Sequence, residues 1–329
     1  MKLPLTLACG DYDRTRGLRW GLVQPDGIDL NYLCMQVEET FWRTAHFQEF
    51  DVSEMSMGSY MIRRAKGIED LVAIPVFPSR MFRHAYYYVN AKSGITRPEE
   101  LKGRKMSVPE YQITAAIWMR GILEHDHGVA PKDMRWYSGG LYTPGRVEKQ
   151  HITLPEGVVL ESIPEGRTLN EMIATGEVDA LISARAPLTF RDGTNRVARL
   201  FPNFRDTERD YYQRTKIFPI MHTVVIKREV VEKYPWVAMN LYKAFVEAKD
   251  EFQNSFKDDS AMRLMLPGMV ADLEEAEDLM GKDFWPYGLE PNRHVLETLM
   301  SYAQEQGLLE KRLKLDELFA PETLESFVI

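Results

Sequence analysis

The chain has 329 residues, 44% hydrophobic and 27% charged, a globular balance that excludes a disordered or fibrous polymer. Its 41 Lys and Arg stand against 49 Asp and Glu, a net charge of -8, so it offers no broad cationic footprint for nucleic acid, and an anionic ligand requires a local cationic pocket. The two cysteines, Cys9 and Cys34, exclude a disulfide-built scaffold and fit a reducing compartment. No run approaches the ~18 apolar residues of a spanning helix, and the opening segment turns polar at Asp11, so the expectation is a cytoplasmic protein with no membrane partner.

In chain order the first elements alternate. Leu3–Cys9 and Ile28–Met35 read as strands, Val37–Phe47 as a helix, Val52–Ser56 as a strand and Gly58–Lys66 as a helix stopped by Gly67. Leu71–Phe77 is a buried-looking strand ended by Pro78. Thr96, Pro98 and Glu99 start a short helix that Gly103 ends, Lys105–Val108 is a strand, and a helix follows from Ile113 to Glu124. Val158–Ile163 is a strand, Thr168 and Glu171 form a capping box for a helix to Thr175, and Val178–Ser183 is a strand. Such alternation predicts α/β layers with mostly parallel sheets. The last third turns helical, with Trp236–Phe256 and Arg293–Gln306 each carrying an apolar face, before an amphipathic tail to Ile329.

Two β-prone runs break the pattern: His84–Asn90, with three consecutive tyrosines, and Phe218–Ile226. They bracket a central α/β block, 91–217, and predict two lobes joined by two crossing strands with a ligand cleft between them. The corresponding division is a discontinuous lobe, 1–86 and 223–329, and an inserted lobe, 87–222. Each crossing strand carries one histidine, His84 or His222.

The segments Val76-Phe77-Pro78-Ser79-Arg80-Met81-Phe82-Arg83-His84, Val108-Pro109-Glu110-Tyr111-Gln112-Ile113-Thr114-Ala115-Ala116 and Phe218-Pro219-Ile220-Met221-His222 carry a resemblance to a known family, as do Pro235-Trp236 and Phe284-Trp285-Pro286-Tyr287-Gly288. Across its whole length the chain resembles the 4,5-dihydroxyphthalate decarboxylases, a branch of the type 2 periplasmic-binding-protein-like fold. The resemblance implies loss of CO2 from a dihydroxylated aromatic dicarboxylate to give protocatechuate. A small aromatic carboxylate is then the partner, and a homo-oligomer stays open.

That chemistry needs a proton donor, cations for the carboxylates and an acceptor for the phenol. His84 or His222 suits the donor, since an unperturbed imidazole titrates near ~6.5; the ordinary alternative is a packed strand histidine. Arg80 and Arg83 beside the first crossing, and Arg185 after the strand Val178–Ser183, are carboxylate clamps, with Arg14 and Arg16 as further candidates. Ser56 and Ser59 open one helix, and Tyr111 and Thr114 another, where free amides favour anions, although plain capping accounts for Ser59 and Thr114 equally well. Asp11 at the end of the first strand is placed to take a phenolic proton or orient a histidine, and Glu54 has the same standing with less behind it. No cofactor is called for. His125 and His127 lie past a helix end and make a poor metal site, while a divalent metal held by Asp11, His84 and His222 stays open. The rival function is a non-catalytic solute-binding protein, a transport receptor or sensor, for a small aromatic carboxylate.

Overall fold

The computed structural model describes residues 2–148, 152–258, 260–261 and 264–324; the end of the amphipathic tail, 325–329, lies outside them. The chain divides into two compact units. Unit 1 holds Met1–Arg80, Ile220–Glu297 and Leu313–Ile329; unit 2 holds Met81–Pro219 and Thr298–Arg312.

The first elements are β1 (Leu3–Cys9), α1 (Arg16–Arg19), β2 (Ile28–Cys34), α2 (Val37–Phe47), β3 (Val52–Ser56), α3 (Met57–Ala65) and β4 (Leu71–Ile74). Unit 2 follows with β5 (Tyr87–Asn90), β6 (Lys105–Val108), α4 (Thr114–His127), β7 (Arg135–Ser138), β8 (Val159–Ser162), α5 (Leu169–Thr175), β9 (Ala180–Ile182), α6 (Leu188–Arg191), β10 (Val197–Arg199) and α7 (Phe204–Thr215). The chain returns as β11 (His222–Lys227), α8 (Arg228–Lys233), α9 (Trp236–Ser255), α10 (Met269–Met280) and α11 (Arg293–Glu305).

Unit 1 is a five-stranded sheet in the order β2-β1-β3-β11-β4. β1 is parallel to both β2 and β3, whereas β11 runs antiparallel between β3 and β4. The central strand β3, Val-Ser-Glu-Met-Ser, and the edge strand β4, Leu-Val-Ala-Ile, are both buried along their whole length, as strands covered on both faces must be. Because β11 is antiparallel, its first residue lies beside the last residue of β3, with His222 paired to Ser56. The carboxyl ends of β1 and β3 and the amino end of β11 therefore meet at one edge of the sheet, where ligands gather in open α/β sheets.

Unit 2 is a six-stranded sheet, β10-β5-β9-β6-β7-β8, parallel from β9 through β8 and antiparallel across β5 and β10. α5 carries its reciprocal cap, Thr168 accepting from the Glu171 amide and Glu171 from the Thr168 amide, each at 3.3 Å. Residues 298–312 belong to unit 2 through α4. The Arg120 Nε donates to Gln306 Oε1 at 2.9 Å, and Gln306 Nε2 donates to the Ile117 carbonyl at 3.0 Å. Gly121 lets Tyr302 lie against the same helix.

The two β-prone runs are shorter strands than their composition predicts. His84–Tyr86 is a single 3-10 turn and only Tyr87–Asn90 is strand; Phe218–Met221 precedes β11. Pro78 and Pro219 have no N–H to continue a ladder, and one antiparallel bridge, Arg80 to Ile220, pairs the two segments. The sequence reading also passed over α1, β7, α6, β10, α7, α8 and α10. α7 buries only Tyr211 and is otherwise polar or half-exposed, so it has almost no apolar period to read.

A Cβ at Gly121 would lie 2.0 Å from Tyr302 Cδ2. Gly121→Ala is expected to lower the urea-unfolding free energy by at least ~1–3 kcal/mol, and trimming Tyr302 to Leu in the same chain to recover part of it. An unchanged midpoint for Gly121→Ala would show that this contact does not hold residues 298–312 to α4.

Candidate functional site

The carboxylate of Glu54, in the middle of β3, is fully buried. One residue beyond the paired Ala8 and Ser53, Cys9 and Glu54 lie side by side on β1 and β3. Two residues along the same face of β3, Ser56 pairs with His222. This register converges four donors on one carboxylate. Oε1 accepts from His222 Nδ1 at 2.6 Å and from the Tyr12 hydroxyl at 2.7 Å; Oε2 accepts from the Gly10 amide at 2.9 Å and the Cys9 thiol at 3.5 Å.

Burial alone would raise the Glu54 carboxyl, but the hydrogen bond and charge of His222, with the Tyr12 hydroxyl and the Gly10 amide, outweigh it and hold the group below its ordinary value. The carboxylate is ionised and accepts only, so His222 carries its proton on Nδ1 and leaves Nε2 for other work. The His222 ring meets Phe41 of α2 edge-on, centroids 4.8 Å apart, and its side chain is 17% exposed. Burial and the neighbouring Glu54 push both the Cys9 thiol and the Tyr12 phenol upward, so each stays protonated and donates.

The turn after β1 is shaped for this contact. A Cβ at Gly10 would come within 2.8 Å of the Tyr12 ring, so only glycine lets that ring fold back over the chain. Tyr32 of β2 donates to the Gly10 carbonyl at 2.8 Å and meets Thr15 Oγ1 at 3.0 Å, fixing both ends of the turn. Arg14 then lies between two rings, its guanidinium carbon 4.2 Å from the Tyr12 centroid and 4.3 Å from that of Trp285. Trp285 is itself held by its indole N–H on the Phe77 carbonyl at 2.9 Å.

Of the residues singled out from sequence, unit 1 brings His222 and Ser56 together. Ser56, rather than Ser59, caps α3, accepting from the Ser59 amide at 3.4 Å, while the Met57 amide donates to the Met221 carbonyl at 3.0 Å. Two of the helix-start amides expected to meet an anion are thus already engaged. Asp11 is exposed and pairs with Arg19 at 2.5 Å; the residue that orients the histidine is Glu54. Arg80 is buried, and its Nη2 donates to the Pro286 carbonyl at 2.6 Å and to Asn292 Oδ1, which ties the segment 284–288 to the strand-end residues 75–80.

In unit 2, His84 is 1% exposed among Tyr87, Phe201 and Tyr211, and its Nδ1 has no partner among the described residues. Desolvation lowers it to about 4. Arg83 is buried above Tyr86 and lowered to about 10 by the same cause. Tyr111 is buried beneath the Arg120 guanidinium, 3.5 Å from its ring centroid. The Tyr111 amide and the Gln112 side chain donate to the carboxylate of Glu148, so a side chain of the chain itself meets the turn expected to take an anion. Thr114 is the first residue of α4 rather than its cap, which is Ile113, and Arg185 is exposed. Sequence reasoning did not single out Tyr12 and gave Glu54 less weight than Asp11; the available signal for Glu54 was a carboxylate in the middle of an otherwise buried strand.

Among the described residues no group of three or more His, Cys, Asp or Glu side chains is placed to hold a metal ion, and no helix is long and apolar enough to cross a membrane.

Two measurements follow from these environments. Tyr12→Phe removes one donor to a buried carboxylate and is expected to cost about 2 kcal/mol in urea unfolding; a loss below ~0.5 kcal/mol would mean that Glu54 does not depend on it. His84 has its folded value lowered from 6.5 to about 4. Its neutral form is therefore favoured by folding, and the stability it contributes is full above ~6.5 and lost as pH falls toward 4. Between pH 7 and 5 wild type should lose about 2 kcal/mol more than His84→Leu. Equal losses in the two chains would place His84 in contact with solvent.

No family model matches the chain. Two curated relatives do. A protein of Comamonas testosteroni named 4,5-dihydroxyphthalate decarboxylase is 42% identical over 328 residues, covering 100% of this chain and 99% of that protein. One of Pseudomonas putida with the same name is 42% identical over 212 residues, 64% of this chain and 82% of that protein. Among solved structures, the alkanesulfonate-binding protein of Xanthomonas axonopodis pv. citri, bound to MOPS, is 12% identical with a TM-score of 0.51 over 97% of this chain and 96% of its own, which shows a shared two-lobed α/β fold. Full-length identity at this level decides what the fold leaves open between receptor and enzyme: the chain belongs to the 4,5-dihydroxyphthalate decarboxylase family, and is a carboxy-lyase.

Proposed function

We propose that the chain decarboxylates 4,5-dihydroxyphthalate to protocatechuate and CO2, with His222 as the general acid and Glu54 as the residue that positions it. The observation that carries this reading is the 2.6 Å contact between His222 Nδ1 and a fully buried carboxylate, in a member of a decarboxylase family.

The chemistry follows from the substrate's own electrons. A ring hydroxyl para to a carboxylate pushes density onto the carbon that bears it. His222 Nε2 gives its proton to that carbon, the phenolic proton passes to solvent, and a dienone forms. The bond to the carboxylate then breaks, its electron pair restores the aromatic ring, CO2 leaves and the phenol regains a proton. One proton is consumed for each CO2 released, and no electron-sink cofactor enters the balance. Glu54 serves by fixing one imidazole proton on Nδ1, so that Nε2 is the nitrogen left to carry the transferred proton. Asp11, exposed and paired with Arg19, has no part in this step.

Purified protein incubated with 4,5-dihydroxyphthalate should release CO2 and protocatechuate, and in D2O the product should carry one deuterium at the carbon that lost the carboxylate. His222→Gln should lower kcat by ~10²–10⁴ with affinity for the unreactive analogue phthalate changed less than threefold. Undiminished turnover in that variant would overturn the acid assignment. Unchanged substrate bound tightly by wild type would instead favour a receptor.

A further inference from the structure

We infer that Arg14 is the specificity-determining residue for the carboxylate that stays on the ring. The inference rests on the decarboxylase reading for the identity of the ligand and on the geometry of Arg14 for the contact itself.

Electrostatics separates the two carboxylates of the substrate. The departing one gives up its negative charge as its bond electrons pass into the ring. A cation clamped on it binds the ground state more tightly than the transition state and opposes the reaction. The remaining carboxylate is charged throughout, so an arginine placed there holds substrate, transition state and product alike. Such an arginine sets affinity and orientation, and leaves the barrier to the histidine.

Arg14 has the properties that this role demands. Its guanidinium is stacked between Tyr12 and Trp285, at 4.2 and 4.3 Å from the ring centroids. Its edge is fixed by Nε donating to the Pro78 carbonyl at 2.6 Å and Nη1 to Asp13 Oδ1 at 3.1 Å. Nη2 has no hydrogen-bond partner among the described residues, and the side chain is 17% exposed, enough to meet a ligand and little enough to be dry around one. A planar group whose rotamer is set by two rings and a main-chain carbonyl loses little entropy on binding and presents a directed donor.

The position is tied to the acid by one residue. The ring beneath Arg14 belongs to Tyr12, whose hydroxyl donates to the same Glu54 Oε1 that holds His222. Arg14 thus stacks on a residue of the same hydrogen-bonded chain, Tyr12 to Glu54 to His222, that holds the acid. Another unit 1 arginine, Arg80, has its Nη2 engaged with Pro286 and Asn292.

The test is titration calorimetry of wild type, Arg14→Gln and Arg14→Lys with three probes: phthalate, protocatechuate and catechol, which keeps the hydroxyls and lacks any carboxylate. Arg14→Gln should weaken phthalate and protocatechuate 10- to 100-fold and catechol less than twofold. Arg14→Lys, which keeps the charge but not the planar fork, should fall between. In turnover of 4,5-dihydroxyphthalate, KM should rise by more than kcat falls. Equal weakening of all three probes would reduce Arg14 to a structural role, and unchanged affinity for the carboxylates, or a collapse of kcat at constant KM, would also overturn the inference. Should wild type fail to turn over the dihydroxy substrate while phthalate affinity still depends on Arg14, the decarboxylase substrate is wrong and the carboxylate clamp stands.

Discussion

An ionised carboxylate in the middle of a buried strand is the constraint on which unit 1 depends. Removing Glu54 from water is costly, and the cost is offset only while donors occupy its oxygens. Those donors come from the end of β1, from the turn that follows it and from the start of β11, so the carboxylate joins segments more than 160 positions apart in sequence. The same demand that keeps the fold intact aligns an imidazole, which makes structure and chemistry hard to separate by deleting any one of the partners.

The direction of β11 is what makes this convergence available. A parallel strand between β3 and β4 would place its first residue at the opposite edge of the sheet. Running antiparallel, β11 brings His222 level with Ser56, at the carboxyl ends of the strands where the amide-rich turns lie. A fold shared with a solute-binding protein therefore carries, at this end of the unit 1 sheet, an imidazole held by a buried carboxylate.

The arginines show how little a residue type reveals by itself. Arg80 and Arg120 are buried and hold main-chain carbonyls and amides, the first closing the 284–288 segment onto unit 1, the second joining α4 to the segment after α11. Arg14 is fixed by stacking and a carbonyl but keeps one nitrogen unengaged. Sequence proximity to the chain crossings made Arg80 and Arg83 the leading clamps. Which carbonyls and rings lie around each arginine is decided by elements far away in the chain.

Local pattern by itself determined the α/β alternation and some of the element boundaries. Apolar period, caps such as Thr168 with Glu171, and stop glycines are properties of short windows, and Leu3–Cys9, Val37–Phe47 and Val52–Ser56 are read to the residue. The family motifs likewise marked His222 and the aromatic segment 284–288. Charged helices such as α7 and short strands such as β10 carry too weak a period to be seen. What tertiary structure alone decided is the surroundings of each polar group: that His84 sits desolvated among aromatic rings, that His222 answers to Glu54 rather than to Asp11, and that Tyr12 links it to Arg14. The physical reason is that helix and strand propensities are set by neighbours in sequence, whereas desolvation and hydrogen bonding depend on which distant segments the sheet register brings within 3 Å of a given atom.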